Sequence, residues 1–191
     1  MAGKQAKILS VDHIDDLLFF ADRSRHPERN RTIVLLSVKA GLRAAEISKI
    51  TWEMVVDATG CVGTTLELRD HAAKMKGGRS IPLHADLQSA LYVLRGSQTK
   101  DGPVICSERG GQMTPLSIVI WFSRAYDALG LTGCSSHSGR RTFVTRAARL
   151  VHKTGGSLRD VQLLAGHRSI QTTQRYIDAD GEAQRRLVSL I

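Results

Sequence analysis

Tyr176 lies near the end of the chain, nine residues beyond His167, in the run Leu163-Leu164-Ala165-Gly166-His167-Arg168-Ser169-Ile170-Gln171-Thr172-Thr173-Gln174-Arg175-Tyr176. A phenol is a poor nucleophile at neutral pH, since its ordinary pKa is about 10. It becomes useful where cations polarise its target and a neighbouring group takes its proton. The chain offers such groups. Arg43 and Glu46 are three apart, so on a helix they share a face. His137 and Arg140 have the same spacing in Ser136-His137-Ser138-Gly139-Arg140-Arg141-Thr142. Lys74 and Lys76 stand just before Gly77-Gly78. Two arginines, a lysine, two histidines and a late tyrosine make a set able to run nucleophilic attack by tyrosine with the developing charge held by fixed cations.

Each of these residues has a plainer explanation when taken alone. Arg43 and Glu46 could be a solvated helix pair, His137 a helix cap, the two lysines a solubilising feature of a hairpin, and Tyr176 part of a core. The histidines lack the spacing and the carboxylate cluster of a metal site, so neither a metal nor another cofactor is expected.

The elements that must carry these groups are mostly helices. Ser10 can cap a first helix striped by Ile14, Leu17, Leu18 and Ala21. Pro27 opens a second, with Ile33, Leu36 and Ala40 as its buried face and Gly41 at its end. Leu42 to Ile50 reads as a third helix carrying Arg43 and Glu46. After Trp52 the pattern changes to two or three antiparallel strands. Thr64, Leu66 and Leu68 alternate with Thr65, Glu67 and Arg69, Gly77-Gly78 is a hairpin signal, and Arg79-Ser80-Ile81-Pro82-Leu83 is the returning strand. Helices resume at Leu87, Ala90, Leu91 and Leu94. Another follows Thr114-Pro115 with Val119, Phe122, Tyr126 and Leu129, and the next is striped by Phe143, Ala147, Leu150 and Val151. Ser157-Leu158-Arg159-Asp160 resembles a capping box opening the helix that stops at Gly166. Ser169 can cap a short last helix that ends on Tyr176. The expected class is mainly α with a small antiparallel β-sheet, an α+β domain.

The chain has 191 residues, enough for one domain with a sizeable core. Its 27 Lys and Arg exceed its 18 Asp and Glu, a formal net charge of +9 that favours a polyanionic partner such as nucleic acid or an acidic membrane surface. Cys61, Cys106 and Cys134 are far apart and form no CxxC pair, which points to a reducing, cytosolic setting. No apolar run approaches the ~18 residues of a membrane span.

Taken together, the order and spacing of these groups resemble the tyrosine recombinases, the phage-integrase family. Ala40-Gly41-Leu42-Arg43-Ala44-Ala45-Glu46-Ile47 is similar to that family's first-arginine motif. His137-Ser138-Gly139-Arg140-Arg141-Thr142-Phe143 is similar to its His-x-x-Arg motif. Leu164-Ala165-Gly166-His167-Arg168-Ser169 is similar to its Leu-x-Gly-His motif, with Tyr176 at the family's distance beyond. The resemblance implies the family's catalytic-domain fold and a site-specific DNA recombinase. Such an enzyme breaks and rejoins double-stranded DNA through a 3′-phosphotyrosyl intermediate, without metal or ATP, in integration, excision or inversion and often in mobile elements. It implies Tyr176 as the nucleophile, Arg43 and Arg140 clamping the non-bridging oxygens, and His137 and His167 binding the phosphate and assisting proton transfer. Glu46 would support the site from behind. Lys74, rather than Lys76, would protonate the leaving 5′-oxygen, because its distance to the Ile81-Pro82 strand end matches the family's hairpin.

The expected organisation is one catalytic domain over residues 1–191, with no separate N-terminal core-binding domain. In size it resembles the short recombinases that invert fimbrial switches, or an excised catalytic domain. The tail 177–191, with Leu187, Val188, Leu190 and Ile191, would contact another subunit or pack on its own core. The expected partners are double-stranded DNA, further copies of the chain (a dimer or tetramer on DNA) and an accessory DNA-binding protein, with no membrane, in the cytoplasm or nucleoid. Ala165, where many members carry leucine, is a packing change. Two other readings remain open on sequence: a type IB topoisomerase, and a DNA-binding factor that does not cut.

Overall fold

Ser10 opens helix α1 (Val11–Asp22) through a capping box with His13, and Ile14, Leu17 and Ala21 form its buried face. The computed structural model describes residues 6–73, 77–97, 101–176, 185, 188, 189 and 191. These fall into two units, Met1–Phe143 and Val144–Ile191, with the division inside one helix.

In the first unit, Pro27 stands at the start of α2 (Pro27–Val38). Every residue from Thr32 to Val38 is buried, so this helix is covered on all sides, by α1 and by α4 (Ala85–Gly96) among others. Helix α3 (Ala44–Lys49) follows and packs on α5 (Pro115–Ala128). Arg43 is the N-cap of α3 with an extended backbone, outside the helix that the sequence pattern placed from Leu42 to Ile50. The sheet has two strands, β1 (Thr65–Leu68) and β2 (Arg79–Pro82), paired antiparallel with Leu68 opposite Arg79. The expected alternation holds, with Leu66 and Leu68 buried, and Pro82 ends its strand. Val56 makes only an isolated bridge to Val62. Gly77-Gly78 is not a two-residue turn: the N–H of Gly78 donates to Asp70 Oδ1 at 2.8 Å, bracing a longer connection.

Thr114 caps α5 through Ser117 N–H at 3.1 Å. Its buried residues are Ile118, Phe122, Ala125 and Tyr126; Phe122 and Tyr126 are as expected, while Val119 is exposed and Ile118 is covered instead. Around helix α6 (Ser138–Leu150) Val144 and Ala148 are buried and Leu150 is exposed, while Val151, just past its end, is buried as expected. In each helix the neighbours decide which apolar residues are covered.

Gly41 has φ +65, and a Cβ there would collide with the Phe143 ring. A left-handed non-glycine residue costs ~1–2 kcal/mol, and a forced contact in a packed interior adds ~1–3 kcal/mol. Gly41→Ala is therefore expected to lower the urea midpoint by the equivalent of roughly 2–5 kcal/mol. A midpoint equal to that of the parent would show that this backbone can relax.

The second unit holds the rest of α6, then α7 (Leu158–Ala165) and α8 (Ile170–Gln174), which pack on each other. The capping box of Ser157 and Asp160 forms as the sequence predicts, and Gly166 terminates α7 in the left-handed region. Tyr176 lies two residues beyond α8 rather than at its last position, its N–H donating to the Thr173 carbonyl at 3.1 Å. Most of the tail lies outside the described residues, Leu187 and Leu190 included; Val188 and Ile191 are exposed.

Candidate active site

In the first unit Arg43 and Arg79 converge on Glu46. Its side chain is 1% exposed. Oε2 accepts the N–H of Arg43 at 3.0 Å, and Oε1 accepts Arg43 Nη1 at 3.0 Å. From the sheet, Arg79 closes a fork on both oxygens, Nη1 to Oε1 and Nη2 to Oε2, each at 3.2 Å. A carboxylate between two guanidinium groups orients the more exposed Arg43, whose side chain is 23% exposed against 8% for Arg79.

Burial by itself pushes the Glu46 carboxyl up. The Arg79 hydrogen bonds and charge, followed by Arg43, more than offset this and hold it below its ordinary value. A carboxyl lowered in the folded state contributes stability above its unfolded value, about 4.3, and loses it as pH falls through the folded value. Breaking a buried pair by removing one partner costs ~3–5 kcal/mol. Glu46→Gln is therefore expected to be less stable than the parent at about pH 7, by up to that amount, with the difference narrowing at acid pH, below the ordinary carboxyl range. Urea titrations at both pH values measure it; a difference unchanged by pH would remove charge from the account.

Arg140 is 3% exposed and donates from Nη1 to the Gly41 carbonyl at 2.6 Å. That bond brings together the two arginine motifs, since Gly41 lies two residues before Arg43. Close approach makes it possible: at Gly139 a Cβ would collide with Ser37 and Val38 of α2. His137 precedes α6 and is exposed, its N–H donating to Ser135 Oγ at 3.3 Å and its carbonyl accepting from Arg141 N–H at 2.9 Å.

In the second unit, His167 and Tyr176 stack with ring centroids 5.5 Å apart and planes 19° from parallel. His167 is 7% exposed. Its carbonyl accepts from Gln162 Nε2 at 2.8 Å, its N–H donates to the Gln162 carbonyl at 3.1 Å, and its Nδ1 lies 2.9 Å from Thr173 Oγ1. Lys74 and Lys76 lie outside the described residues. Among the described residues, no group of three His, Cys, Asp or Glu side chains could hold a metal ion, and no helix is long and apolar enough to cross a membrane.

Sequence reasoning missed Arg79, Gln162 and Thr173. For Arg79 a signal existed: a strand's period of two puts it on the face of Ile81, which is buried. A charge on a buried face demands a partner. Gln162 and Thr173 carried no such signal.

This mainly helical fold with its two-stranded sheet is that of tyrosine-recombinase catalytic domains. The crystal structure of XerA recombinase is similar over 100% of this chain and 65% of that one, with a TM-score of 0.75 and 22% identity. XerH site-specific recombinase, solved bound to its difH substrate in a pre-cleavage complex, is similar over 99% of this chain and 55% of that one, with a TM-score of 0.72 and 22% identity. The tyrosine recombinase XerC of Roseiflexus sp. strain RS-1 is 26% identical over 175 residues, 89% of this chain and 54% of that protein. Residues 7–182 match the model of the phage integrase family, and the chain belongs to that family. It spans about half the length of curated relatives matched along most of its own length.

Proposed function

We propose that this chain forms the cutting and rejoining centre of a site-specific DNA recombinase. The phenol oxygen of Tyr176 attacks a phosphodiester. A P–O bond to the tyrosine forms, the bond to the 5′-oxygen breaks, and the 3′ end is left as a phosphotyrosyl ester. Lys74 protonates the departing 5′-oxygen. Arg43 and Arg140 hold the non-bridging oxygens, for which planar, permanently charged forks suit better than an ammonium. His137 and His167 bind the same phosphate and assist proton transfer, and Glu46 with Arg79 keeps Arg43 in place. Each bond broken is replaced by one of the same kind, so rejoining by the freed 5′-hydroxyl requires no ATP.

The observation that carries this reading is the tyrosine stacked on a braced histidine 5.5 Å away, in a chain whose family is that of the phage integrases. The net charge of +9 supports double-stranded DNA as the substrate. The proposal extends to assembly as a dimer or tetramer on paired sites, with an accessory DNA-binding protein adding specificity, in the cytoplasm or nucleoid.

Trapping tests it. On a nicked substrate, loss of a short 5′ fragment after cleavage strands the covalent intermediate, and a denaturing gel then shows labelled DNA moving with the protein. No adduct on any DNA offered, including the flanks of the gene itself, would leave binding without cutting. Adducts together with relaxation of supercoiled DNA carrying one site would favour topoisomerase action.

A further inference from the structure

We infer that Thr173 is a positioning residue that sets which nitrogen of His167 carries the proton, fixing it on Nε2, where it can donate to the phosphate. The inference deepens the reading of Tyr176 as nucleophile and rests on it for the phosphate alone; the proton's position stands on geometry.

Thr173 is 0% exposed, and its hydroxyl makes one hydrogen bond among the described residues, to Nδ1 of His167 at 2.9 Å. A hydroxyl has one proton and two lone pairs. If the imidazole donated through Nδ1–H, the threonine O–H would be buried with no acceptor. If the threonine donates to the Nδ1 lone pair, only hydroxyl lone pairs go unused. A buried donor without a partner is the costlier and rarer of these two situations. Thr173 therefore donates, and a neutral imidazole that accepts at Nδ1 carries its proton on Nε2. An N–H at Nε2 suits an oxygen on which negative charge builds during phosphoryl transfer.

The same residue reaches the nucleophile. Its carbonyl accepts the N–H of Tyr176 at 3.1 Å. Thr173 thus ties the histidine through its side chain and the tyrosine through its backbone, while Gln162 holds the histidine's own backbone from the other side at 2.8 and 3.1 Å.

The experiment uses the full chain labelled with ¹⁵N and a two-bond ¹H–¹⁵N correlation spectrum above the imidazole titration. His167 is assigned by difference from His167→Gln. Expected is an Nε2–H tautomer for His167 in the parent and in Thr173→Ser, and a shift towards Nδ1–H or a mixture in Thr173→Val. Adduct formation on the nicked substrate should fall about 10- to 100-fold in Thr173→Val, as loss of a histidine's orienting partner typically costs, and stay near the parent's rate in Thr173→Ser. An Nδ1–H tautomer in the parent overturns the inference whether or not the variants fold. So does Thr173→Val with Nε2–H and an undiminished rate. If the parent forms no adduct, the proposed function fails while the spectrum still decides the tautomer.

Discussion

Tyr176→Phe will bind DNA about as well as the parent and form no covalent adduct. Tyr176 is half-buried and its ring stacks on His167. Phenylalanine keeps the ring, its stack and its buried area, and removes one oxygen. If that oxygen forms the phosphotyrosyl bond, the loss is complete rather than partial, because water attacking in its place yields no protein-linked product. A labelled nicked duplex on a denaturing gel reads cleavage, and a titration on the intact duplex reads binding. Adduct surviving in this variant would place the nucleophile elsewhere, and the other two tyrosines are poor candidates. Tyr126 is 2% exposed, and burial, with Cys134 nearby, pushes its phenol far above its ordinary range. Tyr92 is 71% exposed on the outer side of α4.

Lys74→Ala will cleave ordinary DNA about 10²–10⁴-fold more slowly, the usual contribution of a general acid, and recover on a 5′-bridging phosphorothiolate. The reasoning concerns the leaving group. An alkoxide departs poorly unless it is protonated as the bond breaks, whereas a thiolate leaves without help. A lysine that only binds phosphate would be missed equally on both substrates. Rescue by sulfur therefore separates proton donation from electrostatic binding. Lys76→Ala serves as the comparison and should cleave both substrates at close to the parent's rate. Rescue appearing in Lys76→Ala instead would move the acid two residues along the β1–β2 connection.

His167 and Tyr176, named from the sequence, take their local settings from local rules. Ser10, Thr114 and Ser157 start helices where capping chemistry places them, and Gly166 stops α7 with the left-handed backbone that sequence reading assigned to it. The position of His167 just after a helix end and the nine-residue reach to Tyr176 follow from such signals. These are interactions between residues three to five apart, so the order of residue types is enough to predict them.

Pairings across the chain were not legible in this way. Arg79 meets Glu46 over 33 residues, and Arg140 meets the Gly41 carbonyl over 99. Each depends on how a strand or helix packs against another. The buried residues of α5 and α6 also differ in part from their expected stripes, Ile118 covered and Val119 exposed, Val144 covered and Leu150 exposed, because neighbouring elements choose which are covered. By itself the sequence determined the helical class, the small sheet and the caps, because short-range hydrogen bonding and hydrophobic period are written residue by residue. Only the tertiary structure decided that Glu46 holds Arg43 and Arg79 together and that Thr173 stands against His167. A buried polar group takes whichever partner folding brings within about 3 Å, and that distance is set by the packing of whole elements.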